Sequence, residues 1–120
     1  MMMNAIIKKD IIGVMLYVND LKRAGEWYCN SLGFSMGDFD FNDFVELTID
    51  GQYVMHLFKA ESYEPIERAV FTFNTNDISE AHRSLTDKGI ETSNFTHYGD
   101  HSGFTFKDCD RNTLMICQYK

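Results

Sequence analysis

Residues 14–34, VMLYVNDLKRAGEWYCNSLGF, decide the fold. Val14, Leu16 and Val18 alternate with Met15 and Tyr17, the period-two pattern of a strand with one apolar face. Asn19-Asp20 ends the strand, and the Asp20 carboxylate is placed to accept from the free amides of a first helical turn. Leu21, Ala24, Tyr28 and Leu32 then recur at helical spacing, which predicts a helix over 21–31. Gly33 stops it, because glycine tolerates the left-handed backbone of a helix end.

A weaker copy lies downstream. Phe71 to Thr75 alternates as a strand, Asn76-Asp77-Ile78 repeats Asn19-Asp20-Leu21, and Gly89-Ile90 echoes Gly33-Phe34. Asp77 with Glu80 makes a capping-box pattern. A repeat of this length is one supersecondary unit used twice. With 120 residues the chain is a single domain, residues 1–120, so its halves must pack on each other.

Between the copies the first unit, about 11–58, continues with an extended stretch over 34–41 and strands at 44–49 and 52–58 joined by the Asp50-Gly51 hairpin turn. Residues 59–67 are polar, hold the only proline, Pro65, and form the link. The second unit, about 68–118, is expected to place strands at 69–75, 90–95, 102–107 and 113–118 around a helix at 77–88.

The net charge of −7, without a basic cluster, argues against nucleic acid or anionic membrane and is compatible with a cationic ligand. No apolar run approaches the roughly 20 residues of a membrane helix. Three cysteines without paired spacing, and a start that lacks the apolar run of a signal peptide, point to a reduced, cytoplasmic protein.

A tandem βαβββ pattern, with V-x-D-L ahead of an aromatic-rich helix ending in L-G-F and a D-x-D-x-N turn at Asp108 to Asn112, resembles the vicinal oxygen chelate superfamily. That group includes glyoxalase I, fosfomycin-resistance enzymes, extradiol dioxygenases and bleomycin-binding proteins. The resemblance implies an α+β fold in which two antiparallel-rich mixed sheets form a half-open cup, with helices on the outer face. It also implies homodimers whose cups are completed across subunits. Metal-using members carry four ligands, and their positions fall here on Gly13, His56, Val70 or its neighbour Ala69, and Met115. Of these only His56 can bind a hard metal ion, so no metal site and no cofactor are expected. The family's Asp-Pro-Asp-Gly turn is altered as well, with Cys109 and Arg111 replacing Pro and Gly.

Strand parity assigns Val14, Leu16, Val18, Val45, Leu47, Ile49, Met55, Leu57, Phe71, Phe73, Phe104, Phe106, Leu114 and Ile116 to the helix-facing core. The cup-facing set adds Met15, Thr48, Val54, Thr105 and Cys117 to the candidate ligand contacts Tyr17, Phe44, Glu46, His56, Phe58, Thr72, Asn74 and Met115. Such a mixture of aromatics with a few polar groups suits a small-molecule pocket. Glu46 and His56 are expected on neighbouring strands, about 4.5–5.5 Å apart at Cβ, either as a satisfied polar pair or as a general acid/base pair in which Glu46 sets the histidine tautomer. His97 and His101 are expected in a loop at the cup mouth, where His101 is a further contact candidate. The leading expectation is a metal-independent protein that sequesters a cationic or aromatic compound. The alternative is a lyase, isomerase or dioxygenase, using either a displaced divalent metal or Glu46 and His56.

Overall fold

Asp20 starts the first helix as expected. In a computed structural model describing residues 5–119, its carboxylate accepts from the Arg23 amide at 3.1 Å, and Gly33 closes the helix in the left-handed region at φ 86°. Strand β1 (Met15–Val18) precedes this helix, α1 (Leu21–Leu32), and β2 (Ser35–Asp40), β3 (Phe44–Ile49) and β4 (Gln52–Lys59) follow it. The second unit runs β5 (Phe73–Asn74), α2 (Ile78–Asp87), β6 (Thr96–His97), β7 (His101–Lys107) and β8 (Thr113–Tyr119). Asp77 caps α2 through the Glu80 amide at 3.0 Å. The Glu80 side chain turns to Arg83 instead of completing the box.

Each unit forms a four-stranded mixed sheet, ordered β1-β4-β3-β2 in the first and β5-β8-β7-β6 in the second. The opening strand runs parallel to the closing one, with the helix as crossover, and the other pairs are antiparallel. The α+β architecture of two similar units is therefore as the repeat implies. One face of each sheet packs against helices in a shared core. Leu16, Val18, Tyr28, Val45, Leu47, Met55 and Leu57 from unit one and Leu85, Phe104, Phe106, Leu114 and Ile116 from unit two belong to it.

The second unit departs from expectation in three places. Its first strand is only Phe73–Asn74, because the chain before it is clamped to the β7–β8 turn: Ile66 donates to Asn112 Oδ1 at 2.9 Å and accepts from the Thr113 amide at 2.6 Å. The strand expected at 90–95 is reduced to a bridge between Thr92 and Phe106, since the Ser93 hydroxyl takes the Thr105 amide at 2.9 Å in place of a regular ladder bond. His97 and His101 are strand residues and not loop residues. Gly99, at φ 94°, lets the hairpin between them turn sharply.

The altered turn at 108–112 holds the units together. Asp108 is buried; its Oδ1 accepts the amides of Asp110 and Asn112, and its Oδ2 accepts Tyr28 Oη from α1 at 2.5 Å and Asn112 Nδ2 at 3.1 Å. Asp110 Oδ1 accepts Arg23 Nη2 at 3.0 Å and Tyr63 Oη at 2.9 Å, so α1 and the link converge on the same turn. Burial, then the Asp108 charge, pushes the Tyr28 phenol well above its usual range, which keeps it a donor. Arg111 occupies the left-handed conformation at φ 68° that favours glycine, and its guanidinium meets Glu91 at 3.2 Å.

Candidate functional site

The face of the first sheet opposite the helix is a shallow cleft of about 670 Å³, lined by Ile12, Gly13, Met15, Tyr17, Glu46, Tyr53, His56 and Phe58. Its volume falls in the range of small-molecule sites. At its centre the register sets Met15 and Glu46 on either side of His56. The imidazole stacks on Phe58 with centroids 5.2 Å apart and planes 11° apart, while the Phe44 ring lies 5.9 Å away. Tyr17 tilts against Phe58 at 6.1 Å. Met15 and Tyr17 are 56% and 53% exposed, so a ligand laid on this face would remove apolar area from water.

The His56 Nδ1 contact is with Tyr53, whose Oη lies 2.6 Å away. Parity counted back from His56 reaches Val54, and only a bulge puts Tyr53 on this face. Leu47 pairs with Met55 but Thr48 pairs with Tyr53, leaving Val54 as the extra residue. Val54, expected in the cup, instead packs against the helix-side cluster. Nothing in the residue alternation marks the bulge, so Tyr53 escaped the sequence reading. Its phenol is pushed upward by burial first and the Glu46 charge second.

The remaining candidates lie elsewhere. Thr72, Asn74, His101 and Met115 belong to unit two, and none lines this cleft. Met115 and Cys117 fold down over Gly103, where an added Cβ would meet Met115 Cε and Cys117 Sγ at 2.8 Å each; Cys117 is thereby buried. His101 is held between Tyr98 and Tyr119, at 4.9 and 4.4 Å, and bonds Asp100 through Nδ1 at 2.6 Å. Asn74 instead borders a second cavity of about 370 Å³ on the helix side, walled by Leu32, Phe34, Val54, Phe73 and Leu85.

The family's four metal positions fare poorly as a donor set. Gly13 has no side chain, and a Cβ there would meet Tyr53 Oη at 3.0 Å. Val70 lies ahead of β5 and is 72% exposed, and Met115 is packed on sheet two. Among the described residues, no group of three His, Cys, Asp or Glu side chains could hold a metal ion. His56 alone does not make a site for a divalent metal.

Two βαβββ units in tandem, each with one sheet face packed on helices, define the glyoxalase type of α+β fold. Among the described residues no helix is long and apolar enough to cross a membrane. The chain belongs to the glyoxalase/bleomycin resistance protein/dioxygenase superfamily, whose model matches residues 11–116. Its fold is similar to that of a protein from Bacillus anthracis assigned to the glyoxalase family (TM-score 0.83, 20% identity, covering 98% of this chain and 100% of that one). It is also similar to a lactoylglutathione lyase from Agrobacterium tumefaciens (0.76, 16%, 93% and 95%). An antibiotic-binding protein from a Streptomyces strain is alike to the same degree (0.77, 16%, 98% and 100%). Among curated proteins the sequence has no match.

Proposed function

We propose that the protein binds a flat, aromatic small molecule on the concave face of its first sheet, without a metal or other cofactor, and acts by sequestering it. The observation that carries this reading is the site itself: an imidazole stacked on Phe58 and flanked by Phe44, Tyr17 and Tyr53, where metal-using relatives converge hard donors. The Glu46 carboxylate, register partner of His56, and the net charge of −7 favour a compound with a cationic group. The antibiotic-binding Streptomyces protein supports the same class of role on a similar fold.

The cleft has walls from unit one only. A homodimer in which a second copy closes the open face accounts for the exposure of Met15 and Tyr17. The three free cysteines suit a reducing cytoplasm. A thermal-shift screen of planar aromatic compounds, run with a chelator, tests the reading. Several compounds should raise Tm, because a ligand that binds only the native state stabilises it. No rise in Tm with any compound, together with stabilisation by divalent metals in a parallel run without chelator, would refute it.

A second reading, acid/base catalysis by Glu46 and His56, is favoured by their direct pairing in register. It requires turnover of a bound compound that is lost in a folded His56→Ala variant.

A further inference from the structure

Gly13, Tyr53 and His56 form one arrangement that neither the parity of the strands nor the family's metal chemistry contains. The backbone at Gly13 leaves room that a side chain would fill, and the Tyr53 hydroxyl stands in it, 3.0 Å from where a Cβ would be. The same hydroxyl reaches Nδ1 of His56 at 2.6 Å. The bulge at Val54 aims Tyr53 there, and the His56 backbone is fixed by the hydrogen bond its N–H donates to the Val14 carbonyl at 2.8 Å.

We propose that Tyr53 replaces the side chain missing at Gly13 and, by donating its hydroxyl hydrogen to Nδ1, holds His56 with its own proton on Nε2, so that the cleft recognises a hydrogen-bond acceptor such as a ring carbonyl. A phenol is a good donor and a poor acceptor, whereas the bare nitrogen of a neutral imidazole is a good acceptor, so the short contact runs from tyrosine to histidine. The hydrogen bond at one ring nitrogen decides which form the other presents. Held this way, Nε2 offers an N–H and no lone pair, which favours an oxygen-bearing ligand over a metal ion. Glu46, on the neighbouring strand, is the acceptor for a donor or cationic group on the same ligand. The ligand class rests on the small-molecule reading above; the histidine tautomer does not.

The test begins without ligand. Nitrogen NMR of the folded protein at alkaline pH should show the His56 proton on Nε2 and a bare Nδ1. In Tyr53→Phe, which keeps the ring, and in Gly13→Ala, which displaces the hydroxyl, the His56 signals should move toward the mixture of a free imidazole. A proton on Nδ1 in the unaltered protein, or identical His56 signals in Tyr53→Phe, would overturn the proposal. Coumarin and naphthalene, flat bicycles with and without a ring carbonyl, then probe the cleft. Coumarin should bind more tightly, and Tyr53→Phe should weaken coumarin by about fivefold, the worth of one ordinary hydrogen bond, and leave naphthalene unchanged. Equal binding of the two, or an equal effect of the substitution on both, would overturn the acceptor preference. If the tautomer is as stated but no aromatic compound binds, it is the small-molecule reading that has failed.

Discussion

The two sheets share a frame and differ, position by position, on their open faces. In unit one His56 lies between Met15 and Glu46, and Phe58 between Tyr17 and Phe44. In unit two the corresponding closing strand carries Met115, opposite Thr105, and Cys117, between Asn74 and Gly103. At these positions aromatic and ionisable groups are matched by small or soft ones, while an aromatic pair, His101 with Tyr119, stands at the far end of the second face. On the second face Gly103 lets Met115 and Cys117 lie down against the sheet, which fills the surface. On the first, the rings stand up and leave a cleft. Where the frame is concerned the copies agree, down to an aspartate at each helix start and a left-handed glycine, Gly33 or Gly89, near each helix end. A repeat therefore preserves what folding needs, while the centre of the open face differs between the copies.

Several changes would break or sharpen this contrast. The largest effect is expected at the latch that joins the units. Asp108→Ala orphans the buried Tyr28 hydroxyl and two turn amides and should cost about 3 kcal/mol in urea unfolding, with both faces lost in one transition. Next comes Gly103→Ala, which overpacks Cys117 and Met115 and should cost about 2 kcal/mol. Tyr53→Phe on the other face should cost under about 1 kcal/mol, because Tyr53 is 39% exposed. Similar losses from the two would erase the distinction between a packed face and a binding face. Asp20→Ala and Asp77→Ala should each cost about 1 kcal/mol, and near-equal values would show that the copies are equivalent as scaffolds.

Alkaline pH probes the latch. Burial first, and Asp110 next, push the Cys109 thiol up to about 12 from an ordinary value of 9.0. Burial, then the hydrogen bond to Asp110 and its charge, take the Tyr63 phenol to about 12 from 10.0. Both groups hold their protons more tightly folded than unfolded. Their contribution is complete below pH 9 and is lost as pH rises toward 12. Cys109→Ser should flatten the lower part of that decline, as read from denaturation at stepped pH.

Much of the fold was legible because it is carried by local chemistry. Asp20 and Asp77 cap, Gly33 stops a helix, and Asp50-Gly51 turns a hairpin with φ of 53° and 76°. Each of these needs only neighbouring residues. The site was half legible. Alternation alone places Glu46, His56, Phe58 and Tyr17 on one face, and the structure brings them together. It could not find Tyr53, because a bulge depends on how two strands pair and not on either strand's pattern. Nor could it foresee that Thr72, Asn74, His101 and Met115 would lie away from that cleft, since facing the open side of a sheet does not say which sheets share a pocket. The role of the 108–112 turn was hidden for a similar reason, as its partners Tyr28, Arg23 and Tyr63 are distant in sequence.

The central claim is that unit one's open face takes an aromatic ligand without metal. The direct measurement is an NMR titration of the labelled protein, in the presence of a chelator, with the strongest compound from the thermal-shift screen. The account predicts shifts concentrated at Tyr17, Glu46, Tyr53, His56 and Phe58 in unit one. Shifts confined to Thr105, Met115 and Cys117, or binding that the chelator abolishes, would contradict it.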